Sequence, residues 1–277
     1  MRYDAHQHIW PEGLVRVLRA RRDLPRLEGD VLVTAEGSFP VDVAAHLPEA
    51  RIASLDRAGI DAAIVSLQPT IAPTADVADA YHEGVAALAD GRIKPLAHAA
   101  ALDGFVGATI PAGDLLELDE IAPLLSELER RSQILFVHPG PGRPATGAPG
   151  WWCAVVDYTS QMQSAYAHWL WHGVERWPTL RVLFAILAGG APFQLERLVA
   201  RGGLPLREAV SAEVFLDTSS YGPRALEFCL SVYGVDRLVH GSDAPVLDPN
   251  ASIDAVRTFG QAVTEALCDH NPTRLLA

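Results

Sequence analysis

Residues 1–10 have the sequence MRYDAHQHIW, and the segment RYDAH (2–6) within it has the pattern of a short strand. Side chains two residues apart on a strand project from the same face. His6 and His8 are therefore expected to point in the same direction at the end of this strand. Two imidazoles that face one point in a dry interior favour a shared partner, and a divalent metal ion suits this residue type best.

On either side of this pattern, short apolar runs with strand character alternate with amphipathic helical segments along the whole chain. The eight strand candidates are centred near residues 3, 64, 96, 108, 136, 184, 216 and 239. Such alternation is typical of parallel strands joined by right-handed crossovers. Eight units in 277 residues predict an α/β fold, a (β/α)₈ TIM barrel. We expect one domain over residues 1–277, in which residues 12–49 add a loop-helix layer over one end of the barrel.

The composition argues against general binding to nucleic acid or to an anionic membrane surface. Asp and Glu number 34 against 22 Lys and Arg, which gives a formal net charge of -12, although a local pocket can still be positive. Cys153, Cys229 and Cys268 are too widely spaced for a zinc ribbon or a disulfide framework. No signal segment or membrane span is predicted, so we expect a cytoplasmic protein whose partner is a small molecule.

Two further candidate ligands follow other strand candidates. His138 ends the fifth, in ILFVHPG, and Asp243 comes just after the eighth, in RLVHGSDAP, although an aspartate there also suits a turn or a helix N-cap. Barrel active sites are built at the carboxyl ends of the strands, and closure makes the eighth strand a neighbour of the first. We therefore expect His6, His8, His138 and Asp243 to converge on one divalent transition metal ion. Zinc is favoured, with manganese, iron and cobalt as alternatives.

The order of these residues resembles that of the amidohydrolase superfamily, in particular the amidohydrolase-related branch with aminocarboxymuconate semialdehyde decarboxylase, aromatic-acid decarboxylases and lactonases. The matching stretches, which cover most of the chain, are DAHQHIW, LDRAGIDAAIVSL, LFVHPGPG, RVLFAILAGGAPFQLERL, VFLDTSSYGP, HGSDAP and NPTRLL. The resemblance implies a metal-dependent hydrolase that acts on a small cyclic or aromatic carbonyl or carboxylic substrate. A metal-bound water would attack, with Asp243 as catalytic base and proton shuttle. The alternative is a non-oxidative decarboxylase of a small aromatic or unsaturated acid.

One position departs from the family pattern. Members usually carry a histidine after the sixth strand, in a pattern like FAHxGG, where it polarises the substrate or helps to activate the metal-bound water. Here the stretch is FAILAGG, which places Ile186 at that position. A catalytically weak or non-catalytic barrel subunit is therefore a second alternative. The residues considered as replacements for the histidine are His98, His168, His172, His240 and Tyr158.

The Pro/Gly-rich loop and the helical segment after the fifth strand candidate supply candidates for substrate binding. A guanidinium pairs bidentately with a carboxylate, so Arg143 is a candidate anchor, although a solvated loop arginine fits equally well. The adjacent Trp151 and Trp152 are candidates for the wall of a planar substrate pocket, or for a contact with a second subunit in a homodimer. His172 is a candidate near the metal ligands by family register, against packing or exposure on an aromatic-rich helix.

Overall fold

Eight parallel strands form the centre of the molecule. The computed structural model describes residues 1–88, 91–203 and 213–277, and its strands neighbour one another in the order of the chain. They are β1 Tyr3–His8, β2 Ala62–Ser66, β3 Ile93–His98, β4 Gly107–Pro111, β5 Ile134–His138, β6 Val182–Phe184, β7 Val214–Asp217 and β8 Leu238–Val239. Each strand candidate from the sequence falls within one of them, which confirms the predicted (β/α)₈ architecture.

The first and last strands meet and close the barrel at a junction that we call the β1/β8 seam. Gln7 pairs with Ala244 in a parallel bridge. Backbone N–H groups donate across the seam over N···O distances of 2.8 Å, from Ala5 to His240, from His8 to Ala244 and from Asp243 to His6. The carboxyl end of β1 is thereby held directly beside the residues that follow β8.

Helices occupy the connections between the strands. Their bounds are Glu12–Ala20, Val43–His46, Pro48–Ala58, Ala75–Ala86, Leu118–Arg131, Tyr158–His168, Val174–Arg176, Leu195–Ala200, Pro223–Tyr233, Pro249–Arg257, Gln261–Glu265 and Asn271–Leu276. Shorter 3₁₀ turns lie at Pro69–Ile71, Ala112–Leu116 and Ala191–Gln194, and π-helical turns at Cys153–Asp157, Trp169–Gly173 and Ala266–His270.

Local sequence explains where these helices start and stop. The helix Pro48–Ala58 begins with proline, whose fixed φ suits the first turn, and ends at Gly59, which has φ 67°. The helix Leu118–Arg131 carries acidic residues in its first turn and basic residues in its last, and both complement the helix dipole. Its buried face, which includes Leu125 and Leu128, packs in the main hydrophobic core.

The segment 12–49 contains more than the predicted loop-helix layer. Between its helices lies an antiparallel sheet of three short strands, Arg26–Glu28, Val31–Thr34 and Gly37–Pro40. The last two strands and their turn form a hairpin, residues 31–40, with Glu36 in the turn. The sequence analysis did not predict these strands, because each is only three or four residues long.

Two packed clusters of apolar side chains stabilise the barrel. The larger joins the barrel interior to the helices of the second half, and the smaller lies around β2 and the helices of the first half. All three cysteines are buried free thiols. Within the described residues, no helix is both long and apolar enough to cross a bilayer.

Candidate metal centre

The four predicted ligands come together at the carboxyl ends of the strands. His6 and His8 lie at the end of β1, His138 is the last residue of β5, and Asp243 follows β8. Each offers one nitrogen or oxygen atom, and these four atoms all lie within 4.8 Å of one another. The predicted convergence of strand-end residues is thus present in the folded chain.

The closest approaches involve Asp243 and the two histidines of β1. His8 Nε2 lies 3.0 Å from Asp243 Oδ1, and His6 Nε2 lies 3.5 Å from the same oxygen. The two Nε2 atoms are 3.2 Å apart. Asp243 reaches this position through a left-handed backbone conformation, with φ 59°, and through its hydrogen bond across the β1/β8 seam. The three imidazoles are buried, whereas 16% of the Asp243 side chain is exposed.

A second set of contacts orients the three imidazoles. The Nδ1 atom of His6 lies 2.9 Å from Asp217 Oδ2, that of His8 3.1 Å from the carbonyl of Ser66, and that of His138 3.0 Å from the carbonyl of Pro139. An Nδ1–H that donates to an oxygen leaves the Nε2 lone pair free for a metal. For His6 and His8, this lone pair faces the cluster. Three oriented imidazoles and one carboxylate fit a divalent transition metal ion.

Opposed influences set the protonation of the cluster. Burial lowers the pKa of His6, but the charge and hydrogen bond of Asp217, aided by Asp243 and Asp4, raise it to about 9. Burial is also the main cause that lowers the pKa of His8 and of His138, and the neighbouring imidazoles add to it. Burial raises the pKa of Asp243, but the three histidines lower it overall. The charge of Asp217 therefore favours positive charge at His6, whose Nε2 faces the cluster.

Asp217 is a residue of this site that the sequence analysis missed. It ends β7, and its Oδ1 accepts hydrogen bonds from the backbone N–H of Ser219 at 2.9 Å and of Ile186 at 3.2 Å. The Ser219 hydroxyl donates to the same oxygen and also lies 3.1 Å from His6 Nδ1. Asp217 thus links β1, β6 and β7. Its place at the carboxyl end of the strand candidate near residue 216, in VFLDTS, could have identified Asp217 as a residue of the site.

Ile186 occupies the position where a histidine was expected. It starts a run of five consecutive residues in the left-handed region, Ile186–Gly190, with φ values of 47°, 49°, 51°, 62° and 75°. The Ile186 side chain is buried and belongs to the main hydrophobic core. The end of β6 is therefore apolar. The contact of Ile186 with the network around His6 is the hydrogen bond from its backbone N–H to Asp217.

The candidate replacements for the histidine lie in different surroundings. The contact described for His98 is with His82 and not with the cluster: its backbone N–H donates to the His82 ring. His240 is buried between Asp4 and Ser252, and the His168 ring lies beside that of His172, with centroids 4.8 Å apart and the planes tilted by 53°. The Tyr158 hydroxyl donates to Glu36.

Within the part of the chain that the structure describes, no hydrogen bond, ion pair or ring contact joins the predicted substrate-binding residues to the cluster. Arg143 is exposed and lines a cavity of about 470 Å³ together with Pro111, Gly140 and Asp157. Trp151 is 56% exposed and stacks on Trp152, with ring centroids 6.1 Å apart. His172 is exposed beside His168. Their roles in substrate binding stay predictions.

The fold and the strand-end cluster together define a class of protein, the (β/α)₈ barrels with a candidate metal centre at the carboxyl ends of the strands. The family model described as amidohydrolase matches residues 3–277, and the chain belongs to that family. This confirms the resemblance stated from the sequence.

Three individual proteins that are similar to this chain in sequence or fold are all named decarboxylases. The chain is 24% identical over 182 residues to 2-amino-3-carboxymuconate-6-semialdehyde decarboxylase of Dictyostelium discoideum. That match covers 59% of this chain and about half of the length of the relative. The fold is similar to that of 2,6-dihydroxybenzoate decarboxylase from Rhizobium, with a TM-score of 0.72 and 17% identity over 99% of this chain and 98% of that one. It is also similar to 5-carboxyvanillate decarboxylase from Novosphingobium aromaticivorans with bound manganese, with a TM-score of 0.76 and 17% identity over 100% and 97% of the two chains.

Proposed function

We propose that this protein is a metal-dependent decarboxylase of a small aromatic or unsaturated acid. The observation that carries the metal site is the convergence of four ligand atoms within 4.8 Å, with the outer nitrogens of the imidazoles already engaged. The relatives named above are decarboxylases, so they favour the alternative from the sequence analysis over its first choice, a hydrolase. The Novosphingobium relative carries manganese, so manganese joins zinc as a proposed occupant.

Each residue of the cluster has an assigned part in this proposal. His6, His8, His138 and Asp243 would hold the cation, which supplies positive charge to bind and orient a substrate carboxylate. Decarboxylation breaks the bond between the substrate carbon and its carboxyl group, releases CO₂ and requires a proton at that carbon. Asp243 is the cluster member whose side chain is partly exposed, at 16%. We assign to the Asp243 carboxylate the uptake of a proton from the bound acid or from solvent and its transfer to that carbon, which returns Asp243 to the carboxylate form.

The apolar end of β6 fits decarboxylation better than hydrolysis. Hydrolysis needs a water molecule held and activated by polar groups, and Ile186 offers only a backbone N–H that is already bonded to Asp217. A carboxylate next to an apolar surface loses hydration, which favours its conversion into neutral CO₂. The replacement of the family histidine by Ile186 is therefore consistent with a reaction that does not consume water.

Arg143, Trp151 and Trp152 are retained as proposed substrate-binding residues. Arg143 lies on the loop that directly continues from His138, at the same end of the barrel as the cluster. A guanidinium there would attract a second carboxylate of the substrate. His172 is retained only as a residue of the outer rim, since its ring is exposed beside His168.

The first test combines metal content with product analysis. Untagged protein is loaded with Mn²⁺ or Zn²⁺ and incubated with 2,6-dihydroxybenzoate, 5-carboxyvanillate and a panel of lactones, while released CO₂ and ring opening are followed separately. We expect about one equivalent of metal and CO₂ release that a chelator abolishes and added metal restores. His8→Ala should lose both the metal and the activity, whereas His172→Ala, outside the cluster, should keep the metal.

The other outcomes identify the competing functions. Lactone opening without CO₂ release would support the hydrolase. Stoichiometric metal without turnover of any compound would support the non-catalytic barrel that Ile186 suggested. Activity that survives complete removal of metal would contradict the role assigned to the four ligands.

A further inference from the structure

The hairpin 31–40 places the carboxylate of Glu36 against the loop that follows β5. Glu36 Oε1 accepts a hydrogen bond from the backbone N–H of Gly142 at 2.6 Å. Gly142 lies four residues beyond the metal-ligand candidate His138, so this contact is made at the barrel mouth. Glu36 also accepts the hydroxyl of Tyr158, at 2.9 Å by Oε1 and at 2.7 Å by Oε2. Segments more than 100 residues apart in the chain meet at this carboxylate.

Tyr158 lies beside the loop that continues from His138, because Glu36 bonds both its hydroxyl and the backbone N–H of Gly142. Its side chain is half-buried at the start of the helix Tyr158–His168. Burial raises the pKa of Tyr158 strongly, and Glu36, Cys153 and Asp243 raise it further. The charge of Asp243 acts on Tyr158 as it does on the three histidines of the cluster. Among the residues considered as replacements for the missing histidine, Tyr158 combines this influence with a hydrogen bond to the carboxylate that also bonds the loop after β5.

The direction of the Tyr158–Glu36 hydrogen bond decides what this tyrosine can offer a ligand. A phenol has one proton to donate and two lone pairs that can accept. The carboxylate of Glu36 can only accept when ionised, so the proton of Tyr158 is directed at Glu36. The oxygen of Tyr158 then presents lone pairs, and no proton, to a group that approaches from the barrel mouth.

We propose that Tyr158 contacts the substrate as a hydrogen-bond acceptor, held in that role by Glu36, and selects acids that carry a hydroxyl donor besides the carboxylate. The inference rests on the proposed function, since it assumes that an acid binds at the cluster. Tyr158 is the substrate contact, and Glu36 is a positioning residue that acts through Tyr158. A ligand without a donor leaves the lone pairs of a half-buried oxygen unpaired, which costs affinity.

The test is a binding cycle that needs no turnover. Manganese-loaded protein is titrated calorimetrically with benzoate, with the three hydroxybenzoate isomers and with their methoxy counterparts. We expect one hydroxybenzoate isomer to bind wild type about fivefold to tenfold more tightly than benzoate does, as a single hydrogen bond allows. Tyr158→Phe should remove this gain: benzoate should bind the variant at least as tightly as wild type, because no phenol oxygen is left unpaired, and metal content should stay the same. Tyr3→Phe, which removes a hydroxyl at the opposite end of β1, is the matched control and should keep the gain.

Glu36→Gln separates positioning from simple support of the fold. Its amide nitrogen, in the place of Oε2, can donate to the Tyr158 oxygen, while its oxygen, in the place of Oε1, still accepts from the tyrosine. The two arrangements compete, so the preference for the hydroxybenzoate over its methoxy counterpart should shrink. The inference is overturned if the hydroxyl gain survives in Tyr158→Phe, or if no isomer binds wild type better than benzoate. Failure of the decarboxylase proposal is separate, because it appears as intact binding without CO₂ release.

Discussion

Replacement of Asp217 by asparagine is expected to weaken metal binding while the barrel stays folded. The asparagine oxygen can keep the contacts of Oδ1 with Ser219 and Ile186, at 2.9 and 3.2 Å for their backbone N–H groups. The amide nitrogen then replaces Oδ2, 2.9 Å from Nδ1 of His6. Because that amide donates, Nδ1 has to accept, and the imidazole proton moves to Nε2, the atom that faces the cluster.

The expected loss of metal affinity in Asp217→Asn follows from two changes at His6. The variant loses one hydrogen bond in which the acceptor is charged, worth about 1.5–3 kcal/mol, and has the His6 proton on the wrong nitrogen. Outer partners of metal-bound histidines typically contribute 10- to 100-fold in metal affinity, and we expect a loss of about that size for Asp217→Asn.

Competition of Zn²⁺ or Mn²⁺ between the protein and a chromophoric chelator measures this loss. Ser219→Ala is the matched control, because it removes a hydroxyl from the same network and leaves the carboxylate, so its loss should be clearly smaller. Thermal unfolding of the metal-free proteins shows whether Asp217→Asn still folds. Wild-type metal affinity in a folded Asp217→Asn protein would refute the assignment of Asp217 as the group that fixes the His6 tautomer.

Two further predictions concern stability. Burial is the main cause that lowers the pKa of His46 to about 4. The unfolded chain, with an ordinary histidine pKa, therefore takes up a proton first as the pH falls, and folding stability should drop by about 2 kcal/mol between pH 7 and pH 5. His46→Phe, which keeps the stacking on Trp10, should flatten this drop in urea unfolding, and an unchanged slope would exclude His46 as its source. Gly189→Ala should cost about 3 kcal/mol, because φ is +62° and the added Cβ would lie 2.4 Å from the Thr159 carbonyl oxygen. Gly190→Ala, with φ +75° and no atom within 4 Å, should cost only about 1 kcal/mol in the same assay, and equal costs would rule out the overlap with Thr159.

The sequence was sufficient for the barrel and for the four residues of the cluster because both depend on local patterns repeated in order. Alternation along each strand is read within a few residues, and parallel strands bring their carboxyl ends to one face. His6, His8, His138 and Asp243 could therefore be grouped without knowledge of the packing. Their role as metal ligands remains a proposal.

Features that depend on distant contacts escaped the sequence analysis. The strands of the hairpin 31–40 are too short to show a period, and Glu36 meets its partners 106 and 122 positions away in the chain. The left-handed run from Ile186 begins with three residues that are not glycine. Such residues avoid this conformation unless the surroundings impose it, so nothing local in FAILAGG predicts it.

The β1/β8 seam makes the cluster a test of whether the barrel is closed. His6 and His8 are synthesised long before Asp243, which follows a strand of only two residues, the last strand of the barrel. A nascent or truncated chain that lacks the last strand has the imidazoles without the carboxylate and without the hydrogen bonds that bring them together. A cation shared by these residues would link the first strand of the barrel to the segment that follows the last one. Its retention would then report that the last part of the barrel is in place.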